Sequence, residues 1–368
     1  MIRVAFVLPS FAGGGAERVM LTFLRSLDRD RFAPALLVFD AAGPLAALVP
    51  PDVAVYDLAQ PRLRHAVFGL VRLLRQLDPA VIVSTLGYVN LALLAARPFL
   101  PRRARLIVRE ANLPVHSLST VPQARLMRAG YRLLYPRADA VICGAQTVAD
   151  SLARDFGVPQ GRLSVLYNPV DEMSVRAAAA TPAREPGPGL RFVAAGRLAA
   201  QKGFDRLLDM MAPLPGDARL TILGEGPDRA ALEARAAALG LSGRVGFVGF
   251  DPAPWARYAG ADAFVLPSRW EGMPNAALEA LACGTKVVAT PEAGGIGEVG
   301  ALAAPGAVTV SEAGAPFVAA MGAVAVDPPP VPRPSLLPLP FRLAEAVQAF
   351  EAVLDPVSAR AIAQRCAA

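Results

Sequence analysis

The sequence predicts an α/β protein made of two doubly wound, parallel-sheet domains, and three observations lead there. Short, continuously apolar, β-rich runs alternate with longer helical patterns through most of the 368 residues, as strands covered on both faces by crossover helices require. The runs fall into two series, and a chain of this length has room for two hydrophobic cores of roughly 150 to 200 residues each. Between the series, "AAAATPAREPGPG" replaces the periodic pattern with a linker composition.

The first series reads "IRVAFVLP", "APALLVFD", "AVIVST", "RLIVRE", "DAVICG" and "LSVLYN" and defines a domain over residues 1–171. A linker over 172–189 follows. The second series, "LRFVAAG", "RLTILGE", "RVGFVGF", "AFVLPS" and "KVVAT", defines a domain over 190–340, which ends in the proline-rich "VDPPPVPRPSLLPLP". In the last segment, 341–368, Leu343, Val347, Phe350 and Leu354 recur at three- and four-residue steps. That stripe predicts a tail helix needing a partner surface, which packing back across the domains would supply.

With 54% hydrophobic and 18% charged residues the composition is that of a globular protein and excludes general disorder. The net charge of +6 comes almost wholly from arginine, since only Lys202 and Lys286 are lysines. Arginine's planar fork suits phosphates and anionic surfaces, but net charge alone names no partner, and no nucleic acid is expected. Three distant cysteines, Cys143, Cys283 and Cys366, form neither a disulfide framework nor a zinc site, which fits a reducing cytoplasm. The apolar run in "MIRVAFVLPSFAGGG" is too short for a leader or a membrane span. The longer "GAPFVAAMGAVAVDPPP" also falls short of about 20 residues and ends in prolines. A soluble or peripheral cytoplasmic protein is expected.

Candidate chemistry lies where predicted strands end. After the first strand, Gly13, Gly14 and Gly15 open a helix, where bare backbone N–H groups and the positive dipole end suit an anion or allow a tight turn. In "AAGRLAAQKGFDRLL", Arg197 and Lys202 sit in a strand-to-helix turn, where two cations could neutralise a diphosphate. After "AFVLPS", Glu271 falls in a loop and Glu279 inside the next helix, with Pro274 suited to its first turn. If all eight steps were helical the two carboxylates would lie about 12 Å apart along the axis, beyond the roughly 5 to 9.5 Å of a hydrolytic acid pair. Two contacts along one extended ligand fit better. Glu279 sits among small and apolar neighbours and so needs a partner, which a ligand hydroxyl would supply. The Asp-x-Asp of "LDRDRF", Asp28 and Asp30, follows a helix and precedes a strand, as a solvated turn would.

The ordered set "GGGAERV", "YNPVD", "GRLAAQKG", "LGEGPDRAALE", "ADAFVLPSRWEGMPNAALEALACGTKVVAT" and "GGIGEV" spans roughly residues 1 to 300. It resembles the retaining, nucleotide-sugar-dependent glycosyltransferases of family 4, which have the GT-B fold: two Rossmann-like domains facing a central cleft. The resemblance implies that Arg197 and Lys202 hold the donor diphosphate, that Glu279 binds the ribose, and that Glu271 contacts the donor sugar near the reacting carbon. Gly272, Met273, Pro274 and Asn275 would line sugar and phosphate, and Gly14 and Gly15 would close the cleft from the N-terminal domain. It further implies transfer with retained configuration, without a metal or other cofactor, from a UDP rather than a GDP donor. Where many members carry a histidine after the fourth N-terminal strand, this chain reads "LIVREANLPVH". Glu110 is then the candidate catalytic residue there, with Asn112 and His116 as cleft-lining or acceptor candidates.

The segments "PRLRHAVFGLVRLLRQL", "RPFLPRRARL" and "RLMRAGYRLLYPR" mix basic and apolar residues, as contact with an anionic membrane and a glycan or lipid-linked acceptor at its inner face would want. Two rivals use the same scaffold. A nucleotide-sugar epimerase would want acid/base side chains on both faces of the sugar, and a non-catalytic scaffold would not need Arg197, Lys202, Glu271 and Glu279 together.

Overall fold

The computed structural model describes residues 1–60, 62–118, 123–325 and 333–355. The start of the second proline-rich stretch and the end of the expected tail, residues 356–368, lie outside them. The chain forms two compact units, one of residues 1–169 with 344–368 and one of residues 170–343.

In the first unit the strands are β1 (Ile2–Ser10), β2 (Phe32–Asp40), β3 (Ala54–Asp57), β4 (Val81–Thr85), β5 (Arg105–Glu110), β6 (Ala140–Cys143) and β7 (Leu163–Val165). The helices are α1 (Gly15–Ser26), α2 (Leu63–Leu77), α3 (Gly87–Ala95), α4 (Pro114–Ser117), α5 (Ala124–Leu134) and α6 (Gln146–Phe156). All pairings are parallel, in the order β3-β2-β1-β4-β5-β6-β7. The chain steps one way from β1 to β3 and the other way from β4 to β7. Right-handed crossovers therefore put α1 on one face and α2, α3, α5 and α6 on the other. Phe6, Leu37, Ile82, Val83 and Ile107 are fully buried, which explains why their strands read as unbroken apolar runs.

The second unit opens with α7 (Glu172–Ala178) and runs β8 (Arg191–Ala195), α8 (Phe204–Met211), β9 (Arg219–Leu223), α9 (Arg229–Ala238), β10 (Val245–Gly249), α10 (Trp255–Gly260) and β11 (Ala263–Leu266). It continues through α11 (Asn275–Ala282), β12 (Lys286–Ala289), α12 (Ile296–Leu302), β13 (Val308–Val310) and α13 (Ala315–Gly322). Its six parallel strands are ordered β10-β9-β8-β11-β12-β13. Phe192, Leu207, Leu208, Ile222, Val265 and Phe317 centre its core. Part of the expected linker is ordered, because the Asp171 carboxylate caps α7 by accepting from the Ser174 N–H. Arg176 then ties the helix to the Ala282 and Arg333 carbonyls.

The last helix, α14 (Leu343–Leu354), packs on the first unit beside α1. Phe350 is fully buried and stacks on Phe23 at 4.4 Å, and Glu351 accepts from the Asp28 N–H and from Arg31. The Asp28 to Asp30 segment is thus a turn whose backbone anchors this helix. No helix among the described residues is long and apolar enough to cross a membrane. Phe350→Ala would leave a cavity against Phe23 and Phe6; we expect it to destabilise the first unit by about 3 to 5 kcal/mol, read as a lower urea midpoint.

Candidate active site

In an open parallel sheet, ligands bind past the carboxyl ends of the strands where the strand order reverses. In the second unit that point is between β8 and β11, and the loops leaving these two strands carry the predicted cations and acids. The β8 loop brings Arg197, which is exposed and has no hydrogen bond or ion pair among the described residues, then Gln201 and Lys202. The β11 loop brings Ser268 and Glu271. The Glu271 carboxylate is only 6% exposed. Its Oε1 accepts from Lys202 Nζ at 2.5 Å and Ser268 Oγ at 2.7 Å, and its Oε2 from Gln201 Nε2 at 3.4 Å. Burial of this carboxylate is tolerated because a cation and two neutral donors meet it.

The two loops are fastened to each other. Arg206 donates to the Pro267 and Ser268 carbonyls and to Thr290 Oγ1, and Arg269 forms a bidentate pair with Asp205 at 2.7 and 2.6 Å. Gly203 at φ +65° lies under the Pro267 carbonyl, where an added Cβ would come within 2.1 Å, so glycine alone fits there. Gly272, Met273 and Pro274 are buried and Asn275 is half-buried at the start of α11. Helix α11 begins at Asn275, which leaves Glu271 in the preceding loop and Glu279 inside the helix. Glu279 is half-buried, and its Oε2 accepts from the Trp255 indole N–H at 3.0 Å. A protein group thus meets this carboxylate, where the sequence expectation is a ligand hydroxyl.

In the first unit the strand order reverses between β1 and β4. Gly14 caps α1 and Gly15 begins it, and the Glu17 carboxylate folds back so closely that a Cβ on Gly14 would collide with it. Burial raises the Glu17 pKa, against its own backbone N–H and the Arg109 charge. Burial also pushes the nearby Tyr88 hydroxyl up to about 12, with Glu17 adding to the effect. Beside this loop β5 ends in Arg109 and Glu110, 1% and 4% exposed. Glu110 Oε2 accepts from Tyr131 at 2.8 Å and Tyr135 at 2.6 Å, whose rings stack at 4.2 Å. Burial raises the Glu110 pKa, opposed by those two hydroxyls and by Arg109. Asn90 joins the cluster, accepting from Ser84 and donating to the Arg109 carbonyl and to Tyr135. Arg109 donates to Asn168 Oδ1 at 2.6 Å, while its Nε and Nη1 have no partner among the described residues. Burial depresses its pKa to about 10, partly offset by Glu110, Cys143 and Glu17.

Asn112 is half-buried and accepts from the Leu113 N–H with its own side chain, and His116 is exposed on the single turn of α4. The structure thus brings Lys202 and Glu271 into contact, sets Arg197 on the adjoining loop, and places Glu110 within a closed buried network. Sequence reasoning missed Trp255, Ser268, Gln201, Arg206, Arg109 and the tyrosine pair. Only the tyrosines left a local signal, the i,i+4 spacing of "YRLLY". Among the described residues no group of three or more His, Cys, Asp or Glu side chains could hold a metal ion.

Residues 13–173 match Glycosyltransferase Family 4 and residues 181–327 match Glycosyl transferases group 1. The 2-deoxystreptamine glucosyltransferase of Streptomyces kanamyceticus is 32% identical over 293 residues, covering 67% of this chain and 74% of that one. The N-acetylgalactosamine-N,N'-diacetylbacillosaminyl-diphospho-undecaprenol 4-alpha-N-acetylgalactosaminyltransferase of Campylobacter jejuni is 26% identical over 310 residues, covering 81% and 83%. Among solved structures, Anabaena Alr3699/HepE in complex with UDP and glucose superimposes with a TM-score of 0.71 at 20% identity, covering 100% of this chain and 98% of that one. Sucrose-phosphate synthase from Thermosynechococcus elongatus gives 0.73 at 18% identity over the same shares. With these relatives and its two parallel-sheet units, the chain belongs to the glycosyltransferases of the GT-B fold, family 4 in its N-terminal half and group 1 in its C-terminal half.

Proposed function

We propose that this chain transfers a sugar from a UDP-sugar to a glycan or lipid-linked acceptor with retained anomeric configuration and without a metal. The observation that carries this reading is the Lys202–Glu271 pair beside the exposed Arg197, at the carboxyl edge of β8 and β11. A relative solved with UDP and glucose and one whose name gives a diphospho-undecaprenol-linked glycan support the donor and acceptor classes.

In this reading Arg197 and Lys202 hold the diphosphate, whose charge grows as the C1–oxygen bond to phosphate breaks. Cations already in place stabilise that charge with little reorganisation. The N-terminus of α11 at Asn275, with Gly272, Met273 and Pro274, faces the phosphates and sugar through backbone N–H groups. Glu279, oriented by Trp255, accepts from the ribose hydroxyls. Glu271 contacts the sugar near C1. The acceptor hydroxyl attacks C1 on the face that the phosphate leaves, and its proton passes to the leaving phosphate oxygen. No enzyme nucleophile is required. We assign Glu110 a positioning role rather than contact with substrate, because both tyrosines occupy it and little of it reaches solvent.

Thermal-shift screening against UDP- and GDP-sugars tests the donor assignment. A UDP-sugar at a hundredfold excess over Kd should raise the melting temperature by roughly 5 to 10 °C. An NMR assay of the product should show the donor's anomeric configuration, and accumulation of an epimer without acceptor would sink the transferase reading.

Glu279→Ala should raise the donor KM about 10- to 100-fold, the worth of a charged hydrogen bond, with a smaller effect on kcat. Glu271→Ala should mainly lower kcat. Unchanged kinetics in both variants would refute the site.

Because folding favours the protonated form of Glu110, the stability it contributes is complete below its unfolded pKa and is lost as pH rises through the higher folded value. Glu110→Gln cannot titrate. The stability difference between variant and parent, from urea unfolding at a series of pH values, should therefore shift in favour of glutamine as pH rises from about 4.3.

A further inference from the structure

The net charge of +6 hides a strong segregation. Between residues 62 and 137 there are thirteen arginines and two acids, Asp78 and Glu110, so this stretch carries +11 and the rest of the chain −5. Neither α2 nor α5 contains an acidic residue. Both helices lie on the same face of the first sheet, with α3 packed between them.

Their outer surfaces are not only basic. Phe68 on α2 is 81% exposed, and Leu126 and Leu133 on α5 are 70% and 66% exposed. On α2, Phe68 is followed at four and seven residues by the exposed Arg72 and Arg75, on the same side of the helix. Arg75 donates to the carbonyl of Phe99, which brings that exposed ring and the neighbouring Arg102 and Arg103 beside the end of α2. On α5, Leu126 and Leu133 form an apolar stripe alongside the exposed Arg125, Arg128 and Arg132. Arg72, Arg102, Arg103 and Arg125 are exposed and have no hydrogen bond or ion pair among the described residues.

We propose that this face, the outer sides of α2 and α5 with the Phe99 to Arg103 turn, docks on an anionic lipid bilayer. Arginines at headgroup level would meet lipid phosphates while Phe68, Leu126 and Leu133 enter the acyl boundary, as in interfacial amphipathic helices. A second copy of the same face would bring like charges together. A nucleic acid would satisfy the arginines but leave the two leucines in water. This inference rests on the surface of the first unit alone and is independent of which donor the second unit binds.

The test is co-sedimentation of the full chain with phosphatidylcholine vesicles, with and without phosphatidylglycerol. The parent should pellet only with the phosphatidylglycerol vesicles, and added salt should release it. R72E/R103E/R125E should weaken that binding about a hundredfold or more, from roughly fivefold per lost basic charge. F68A/L126A/L133A should weaken it at least about tenfold through lost apolar burial. All six side chains are exposed, so both variants should melt close to the parent. Equal binding to neutral vesicles, failure of the parent to pellet, parent-like binding by either variant, or retention by nucleic acid but not by vesicles would overturn the proposal.

Discussion

A parallel strand buried on both faces admits a polar side chain only where a partner meets it, most readily at or past its end, and this constraint arranges both units. The cores of β1, β4 and β5 and of β8 and β11 are largely apolar, and chemistry gathers where the strands stop: Arg109 and Glu110 at the close of β5, Arg197 two residues after β8, and Ser268 and Glu271 two and five residues after β11. Side chains crowded at such an edge are largely shielded from water, so each charge must be met or its pKa must move. The two units meet this requirement differently. In the second unit Glu271 is neutralised by a lysine on the neighbouring loop. In the first, Glu110 is met by tyrosine hydroxyls, and burial remains the largest influence on it.

This difference separates a site ready for charge from a framework. Lys202 has three N–H donors, and Glu271 takes one of them, while Arg197 is open to solvent and without an ion pair among the described residues. An arriving diphosphate would find one unmatched cation and one cation with donors to spare, on a loop joined to the one at 267–271 by Arg206 and Arg269. Glu110 and its tyrosines present no comparable opening. Their network stiffens the end of β5 and the start of α3, where a Cβ on Gly87 would strike the Tyr131 hydroxyl. Glu110 is held at the strand edge by those two hydroxyls and is 4% exposed.

Local physics decided what could be read beforehand. Strands with both faces buried must be apolar throughout and were visible as runs, whereas β3 and β13, at the edges of their sheets, are short and mostly exposed and carry no such signature. Helix α7 was hidden in a linker-like composition because it depends on a cap and on Arg176 reaching distant carbonyls. At the site, Arg197, Lys202 and Glu271 were legible because the end of a strand locates them. Their partners were not. Trp255 reaches Glu279 across 24 residues and Arg206 reaches Pro267 across 61, and no local pattern encodes such contacts.

Charge distribution carries information that the total conceals. The first unit holds 22 basic and 14 acidic residues, and the second 15 and 17. The second unit, which holds the proposed diphosphate site, is thus slightly acidic overall and meets a diphosphate by local placement of two cations rather than by a general positive field. The first unit is strongly basic, yet its buried Arg109 accounts for little of the surface field. The excess lies on outward-facing helices that carry exposed phenylalanine and leucine. Stability alone does not call for that combination, since unpaired arginines beside solvated apolar side chains gain nothing from folding. Such a surface makes physical sense when an anionic phase with an apolar interior covers it.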